Sequence, residues 1–283
     1  MTIKTRPNLS DLLQSGRALA EKTALAELSP GSALHNAIRY HYRTPGSEAR
    51  ATLCLSASLA LGLTADSAVR LAASVETLHN ASLIQDDLQD RDEIRRGKTA
   101  IWKQFGPDIA INATDLLIAC AFELVASAGS SSAHRLVTTM NRAIARTLQG
   151  QTKDLNAGRD LNFDQAIAVA KEKSGPLFSL SLELPLVLAG HFYFLSMARE
   201  TGASFGIGYQ IFDDIHDSAR DRESGSLSNM ALLVESSGDN QLSSLESAED
   251  LAHHYLQEAA SGAAALPNGC GALLADKCAE LLS

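Results

Sequence analysis

Apolar residues recur at helical spacing along almost the whole chain, and short punctuation such as Arg96-Gly97-Lys98 and Gly129-Ser130-Ser131-Ser132 separates the periodic stretches. Aromatic residues make up only 5% of the 283 residues, although aromatic and β-branched residues are the ones that favour sheets. The pattern therefore predicts an all-α protein, folded as a single large helical bundle. We expect helices at about 10–26, 30–43, 47–62, 65–90, 107–128, 132–150, 163–170, 174–190, 195–218, 248–260 and 269–282.

No linker long enough to divide two domains appears before residue 220, which predicts a single domain over residues 1–283. The segment 223–250 is rich in serine and contains no aromatic residue. Such a composition predicts either a mobile loop or flap around one short helix, or a plain surface loop.

The formal net charge of -9, without any run of Lys or Arg, argues against nucleic-acid binding, which needs a basic face. The four cysteines lie far apart and lack the paired spacings of zinc sites, which predicts reduced core residues of a cytoplasmic protein. They are Cys54, Cys120, Cys270 and Cys278. The N-terminus lacks an apolar stretch of signal-peptide length, and no later segment approaches the roughly 20 uncharged apolar residues of a membrane span. We therefore expect no stable membrane insertion.

Two acidic clusters share the spacing DDxxD, one in SLIQDDLQDRDEIRRGKTA at 82–100 and the other in GYQIFDDIHDSARD at 208–221. Their carboxylates are Asp86, Asp87, Asp90, Asp213, Asp214 and Asp217. On a helix the first cluster places Asp86 and Asp90 on one face, and in the second Gln210 joins Asp214 and Asp217. The residues before each cluster are apolar, so the acids are expected at the ends of buried helices.

Carboxylates clustered without His or Cys ligands favour hard divalent ions, and magnesium completes its shell with water and phosphate oxygens. One such cluster would more often be a solvated charged face, but two copies favour a function. Together they suit several magnesium ions around a diphosphate, with manganese as a possible substitute. Metals placed there would neutralise the charge developing on a departing pyrophosphate.

These motifs resemble those of the polyprenyl synthetase family, the trans-isoprenyl diphosphate synthases, from about residue 30 to the C-terminus. The segments ETLHNASLIQDDLQD, RRGK, GQTKDL, KSGPLF and FGIGYQIFDDIHD follow one another in the order of that family. The resemblance implies a helical bundle around a central cavity, with both aspartate motifs facing each other at its mouth. It also implies a homodimer.

The resemblance also implies a role for each matched residue. The six aspartates would bind magnesium, and five of them, without Asp217, would form the catalytic set with Lys173 and Gln210. Arg95 and Lys173 would hold the allylic prenyl diphosphate, with Gln210 beside that lysine. The isopentenyl diphosphate would be bound by Arg50, His79 and Arg96. The implied reaction is ionisation of the allylic substrate, attack by the isopentenyl double bond and loss of a proton.

Three positions depart from the family pattern. Ser47 replaces the lysine of a Gly-Lys-x-x-Arg segment and is followed by Glu48, Trp102 replaces a histidine, and Ser226 replaces a second lysine. A lost charge-assisted contact to phosphate costs roughly 1.5 to 3 kcal/mol, so isopentenyl diphosphate should bind more weakly.

Two alternatives follow from these departures. One is a related enzyme that ionises a single prenyl diphosphate and cyclises, rearranges or couples it differently. The Asn-Asp-x-x-Ser-x-x-x-Glu motif of bacterial terpene cyclases is absent, however. The other is a non-catalytic partner subunit, which would not be expected to retain all six aspartates.

The positions about one helical turn before Asp86 give a hint of product length. Ala81 and Ser82 are both small. By resemblance the growing tail passes this point, so the expected product has fifteen to about twenty carbons, with twenty favoured.

Overall fold

The computed structural model of the protein describes residues 8–44, 46–156, 163–224 and 248–283, with the side chains of 163 and 216–224 outside that description. Within these ranges the chain forms helices and one two-stranded hairpin, so the predicted all-α class is confirmed. The helices are α1 Leu9–Leu25, α2 Ala33–Tyr42, α3 Ala49–Ala60, α4 Ala65–Asp90, α5 Ile101–Phe105, α6 Pro107–Ser127, α7 Ala133–Asn156, α8 Phe163–Lys173, α9 Gly175–Leu188, α10 Leu195–Ser224, α11 Ala248–Ala264 and α12 Ala272–Leu281. The hairpin pairs β1 Ile94–Arg95 with β2 Lys98–Thr99.

Every predicted helix has a counterpart in the structure. The sequence reading missed α5 and the hairpin, because segments of five and two residues are too short to show a period. It also ended four helices early: α7 continues to Asn156, α8 to Lys173, α10 to Ser224 and α11 to Ala264. Most of the serine-rich segment predicted as a loop, residues 225–247, lies outside the described residues.

Contacts between Cα atoms divide the chain into two compact units, 1–137 and 138–283. The first unit is built around α4, which packs against α1, α3 and α6. Thr64 caps this helix, because its hydroxyl accepts a hydrogen bond from the Ser67 amide at 3.2 Å. Ile38, Ile84 and Leu117 belong to the apolar cluster that α4 shares with α2 and α6. The first acidic cluster therefore begins where a buried helix leaves its core.

The second unit is built around α9, in which every residue from Gly175 to Val187 is buried. Helix α10 packs against α8, α9 and α11. Glycines allow α9 and α10 to approach closely, because Gly202 lies against the backbone of Ser179 and Gly206 against Gly175. This close packing positions the second acidic cluster, which lies on α10.

The cysteines and the most apolar helix are both parts of these cores. All four cysteines are free and buried, as the sequence predicted. Among the described residues, α6 is the one helix long and apolar enough to cross a membrane, with a mean hydropathy of 1.8 in its best 18-residue window. Its Leu117 and Leu124 are buried in the cluster of the first unit, however, and a core helix of a soluble protein passes the same test.

The seam between α9 and α10 gives a stability prediction. Gly202→Ala should lower the free energy of unfolding by about 2 kcal/mol, because the new methyl group would overlap the backbone of Ser179. Gly16→Ala in α1 is the matched control. Its methyl group would lie 3.7 Å from the nearest heavy atom, the Val69 carbonyl oxygen, and alanine is the better helix former. Chemical denaturation of both variants tests this. Equal free energies of unfolding would contradict the close contact between α9 and α10 at Gly202.

Candidate active site

The end of α4 separates the three acids of the first cluster into two environments. Asp86 is half-buried and Asp90 is exposed, and their spacing of four residues places them on one helix face. Asp87 lies off that face and is only 3% exposed. Arg91 ends the helix in a left-handed conformation with φ of 61°, and its amide donates to the Asp87 carbonyl. The chain thereby turns back over Asp87.

Asp87 forms an ion pair with Arg95, which the sequence had assigned to the allylic diphosphate. The Arg95 Nε donates to Asp87 Oδ1 at 2.7 Å, and a second guanidinium nitrogen lies 2.5 Å from the same oxygen. Burial raises the pKa of Asp87, although Arg95 opposes that rise. The pair fixes the position of Arg95, and Asp87 has a structural role besides any contact with a metal.

The next arginine, Arg96, occupies a strained turn. Arg96 and Gly97 form the two-residue loop of the hairpin, with φ of 53° and 74°. Two positive φ values are the signature of a type I′ turn, in which Asn or Gly would be preferred to Arg. The guanidinium of Arg96 lies over Gly46, where any Cβ would collide with it. An arginine in such a turn is a candidate for a function of its charge.

Trp102, one of the departures from the family pattern, holds this hairpin in place. Its Nε1 donates to the Asp92 carbonyl at 2.7 Å, and the Tyr40 hydroxyl donates to the Thr99 carbonyl at 3.0 Å. The two bonds tie the ends of the segment that carries the arginine pair.

The predicted isopentenyl ligands Arg50 and His79 are in contact. A terminal nitrogen of Arg50 lies 3.3 Å from His79 Nε2. Since arginine can only donate, Nε2 must accept. Burial and the nearby guanidinium of Arg50 lower the pKa of His79 well below its ordinary value, so the ring is neutral and carries its proton on Nδ1. That buried nitrogen has no hydrogen-bond partner among the described residues, and it is therefore a donor suited to a phosphate oxygen.

Sequence reasoning missed a buried carboxylate beside this pair. Glu76 lies one helical turn before His79, and its Oε2 is buried without a hydrogen-bond partner among the described residues. Burial raises the pKa of Glu76, while Arg50 opposes the rise. The acid lies within ETLHNASLIQDDLQD, so its position could have been noticed, but helical spacing alone did not reveal its contacts.

In the second unit, Lys173 is held by Asp154, a residue to which the sequence analysis assigned no role. Lys173 Nζ donates to Asp154 Oδ2 at 2.6 Å, and the neighbouring pair Lys153 and Glu172 forms a second bridge at 2.7 Å. Gly150 lies against the backbone of Lys173, so α7 and the end of α8 are in close contact. Asp154 belongs to GQTKDL, which could have drawn attention to it.

Gln210 links Ser174, the residue after α8, to the second acidic cluster. Its Nε2 donates to Asp214 Oδ1 at 3.0 Å, and its Oε1 accepts from the Ser174 hydroxyl at 3.4 Å. Asp214 is 9% exposed and Asp213 is exposed. The side chain of Asp217 lies outside the described residues.

The donor chemistry at both clusters fits magnesium better than a transition metal. Within the described part of the chain, no three side chains of His, Cys, Asp or Glu converge on one point. Asp86 and Asp90 nevertheless offer oxygen ligands from one face of α4, and Asp213 offers another on α10. Magnesium usually takes only one or two protein carboxylates, because substrate phosphates and water complete its shell. The residues present therefore fit that ion.

The two small residues before Asp86 lie in different surroundings. Ala81 is 1% exposed and belongs to the packed apolar cluster of the first unit. Ser82 is half-buried, and it shares the face of Asp86 because it lies four residues before it. The expectation about product length therefore depends on Ser82 more than on Ala81.

His41 gives a prediction about pH. Its Nε2 bonds to Asn80 Oδ1 at 3.0 Å, and burial lowers its pKa from 6.5 to about 4. Between those values the unfolded chain binds more protons than the folded chain, so stability falls as pH drops from about 6.5 towards 4. His41→Gln keeps a donor for Asn80 but cannot titrate. Its free energy of unfolding should therefore lose about 2 kcal/mol less than that of the wild type over this interval.

Denaturation curves measured at several pH values check this expectation. His134→Gln is the control, since His134 is exposed. If His41→Gln and the wild type lost stability in parallel, acid sensitivity would arise elsewhere.

The chain is similar in sequence and in fold to known proteins. Residues 32–226 match the family model described as polyprenyl synthetase. The chain is 32% identical over 189 residues to a geranylgeranyl pyrophosphate synthase of Geoglobus acetivorans, which covers 65% of this chain and 59% of that protein. It is 31% identical over 173 residues to a (2E,6E)-farnesyl diphosphate synthase of Mycobacterium tuberculosis, covering 60% of this chain and 48% of that protein.

Among solved structures, a geranylgeranyl pyrophosphate synthetase from Pyrococcus horikoshii superposes with a TM-score of 0.81 at 21% identity, covering 97% of this chain and 98% of that one. This likeness shows the shared all-α fold. The chain spans about half to three fifths of the length of the two relatives aligned by sequence. Because the family model matches well over half of the residues, the chain belongs to the polyprenyl synthetase family.

Proposed function

We propose that this protein is a magnesium-dependent prenyltransferase that condenses an allylic prenyl diphosphate with isopentenyl diphosphate. One observation carries the proposal. Near each DDxxD motif lies a cationic side chain that is predicted to bind diphosphate, and a carboxylate forms an ion pair with it. Arg95 is paired with Asp87, and Lys173 is paired with Asp154. Each cation is thereby positioned before substrate arrives, which lowers the entropic cost of binding.

The family resemblance implies how the chain's own residues would act on the allylic substrate. Arg95 and Lys173 would bind and orient its diphosphate, and Gln210 holds Asp214 in place. Magnesium bound by the aspartates of both motifs would supply charge neutralisation for the departing diphosphate. The carbon–oxygen bond breaks with its electron pair on the diphosphate, which leaves an allylic cation. Apolar walls that exclude water would protect this cation from quenching.

The second substrate would be oriented by the group around His79. Arg50 and Arg96 supply charge for its diphosphate, and the proton on His79 Nδ1 can be donated to a phosphate oxygen. The isopentenyl double bond then attacks the cation, and a proton leaves from the adjacent carbon. The departed diphosphate is the expected base. Both relatives named above carry product names of fifteen or twenty carbons, which supports that range here.

The altered position 47 gives some weight to a second candidate. Ser47 is exposed where the family pattern has lysine, and a weakened isopentenyl site favours an enzyme that rearranges or couples a single prenyl diphosphate. A non-catalytic partner subunit is less well supported, because both motifs retain all their aspartates. A single domain is proposed from the lack of a long linker before residue 220, a cytoplasmic location from the widely spaced cysteines, and a homodimeric state from the family resemblance.

Incubation with geranyl diphosphate and labelled isopentenyl diphosphate tests the function. Label should enter a longer prenyl diphosphate only when magnesium or manganese is present. Asp86→Ala and Asp213→Ala should each lower turnover by several orders of magnitude, because each removes a proposed metal ligand. Asp66→Ala is the matched control on α4, since Asp66 is an exposed partner of Arg70. Its activity should equal that of the wild type.

Several outcomes would contradict the proposal. Condensation in excess chelator would remove the role of the metal, and near-normal activity of either motif variant would refute the assigned ligands. Pyrophosphate release without incorporation of label would favour the cyclising or rearranging enzyme.

Product length gives a separate prediction. Ser82→Phe should shift products towards fifteen carbons or fewer, because an aromatic ring on the face of Asp86 would shorten the space for the tail. Ser82→Ala should leave the distribution unchanged. Ala81→Phe should instead lower the melting temperature, because it overpacks an apolar cluster. Chromatography of dephosphorylated products measures the shift, and an unchanged distribution in Ser82→Phe would place the floor of the cavity elsewhere.

A further inference from the structure

A small cavity in the first unit contains an arginine that neither motif includes. Arg17 of α1 lines it together with Gly46, Glu76, Asn80 and Arg96. A second small cavity, lined by Asp87, Arg95 and Lys98 among others, has Arg96 and His41 in common with the first. Arg17 therefore lies beside the proposed site for isopentenyl diphosphate, although it is about 30 residues from the nearest residue assigned to that site.

The packing of α1 fixes Arg17 at this place. Gly16 is buried, and a Cβ added there would lie 3.7 Å from the Val69 carbonyl oxygen and 3.9 Å from the Ala73 amide nitrogen, so α1 packs against α4 in ordinary van der Waals contact. The Arg17 guanidinium then donates to the carbonyl of Tyr42, the last residue of α2. That bond caps the end of α2. It engages only part of the guanidinium group, which has five N–H donors. The remaining donors are available for an anion.

The charges around the cavity favour an anionic ligand over a cationic one. Arg17 and Arg96 line the cavity together with two acids, Glu48 and Glu76. Arg50 lies near enough to Glu76 to lower its pKa. The two histidines nearby are neutral, and one of them presents an N–H without a partner among the described residues. Burial lowers the pKa of Arg96 and Glu76 opposes that shift, while the nearby guanidinium groups of Arg95 and Arg17 lower the pKa further by repulsion. A bound diphosphate would relieve that repulsion.

We propose that Arg17 is a diphosphate-binding residue for isopentenyl diphosphate, supplying from α1 the positive charge that is missing at position 47. The inference rests on the proposed function, since it concerns the second substrate of that reaction. It identifies a contribution from a helix that lies outside both acidic motifs. Ser47 directly follows Gly46, which lines the same cavity, so a lysine at position 47 could reach the same anion.

The experiment compares Arg17→Ala with Lys22→Ala. Lys22 is an exposed cation on the same helix and serves as the matched control. Arg17→Ala should raise the KM for isopentenyl diphosphate about ten- to a hundredfold, as expected for the loss of a charge-assisted contact, with little change in the KM for the allylic substrate. Lys22→Ala should change neither constant. Melting curves of all variants monitor the loss of the cap on α2.

A second substitution separates ligand binding from a structural role. In the double variant Arg17→Ala with Ser47→Lys, the KM for isopentenyl diphosphate should fall back towards the wild-type value, because the new lysine restores the charge. A helix-capping role alone would not be rescued from position 47. A raised KM without rescue, or an unchanged KM in Arg17→Ala, would overturn the assignment while leaving the proposed function intact.

Failure of the proposed function would be recognised differently, since the wild type would then incorporate no label. In that case calorimetric titration with isopentenyl diphosphate decides about Arg17 alone. Weaker binding to Arg17→Ala than to the wild type supports the assignment, and equal binding overturns it.

Discussion

The ion pair between Asp87 and Arg95 is the interaction on which the proposed active site of the first unit depends. A carboxylate that is only 3% exposed would be costly without a partner, by several kcal/mol. Arg95 offsets that cost, and in doing so it fixes the hairpin that also carries Arg96. Trp102 and Tyr40 then hold the two ends of the segment. The stability of the fold and the position of two proposed substrate-binding cations are thus linked.

The second unit also contains a cationic side chain that is held by a carboxylate. Lys173 is held by Asp154 from α7, and Gln210 holds Asp214 on α10. The glycine seam of α9 and α10 makes this possible, because Gly202 lets the two backbones approach. In both units a core helix carries aspartates near its end. An ion pair with a neighbouring helix or hairpin holds a cationic side chain close to these aspartates. Substrate would have to compete with or share these bridges, since the same nitrogen atoms are the proposed phosphate ligands.

The proposed isopentenyl site shows how burial controls charge. His41 and His79 remain neutral, because burial disfavours their charged forms. Among the described residues proposed for this site, the positive charge is therefore carried by arginines, which cannot lose it at physiological pH. Arg17 adds to that charge from a helix that the acidic motifs do not include. If it binds the second substrate as proposed, loss of lysine at position 47 need not have abolished condensation.

The sequence by itself determined the helical class, the positions of nearly all helices and the two acidic clusters. These features depend on residues close together in the chain, and helical spacing makes them readable. The family resemblance predicted that Arg50 and His79 bind the same substrate, and the structure places the two side chains in contact. Spacing could not show that Ala81 packs into the core while Ser82 shares the face of Asp86.

Only the tertiary structure decided which residues pair with one another in ion pairs and hydrogen bonds. Asp154 lies 19 residues from Lys173 in sequence, and Arg17 lies 25 residues from Tyr42. Such contacts arise where separate helices pack together, and the helical spacing of residues along the chain does not predict them. Asp87 likewise resembles its neighbours in the motif until the turn after α4 brings Arg95 over it. The physical reason is that helix formation is local, whereas burial and charge pairing depend on which helices pack against one another.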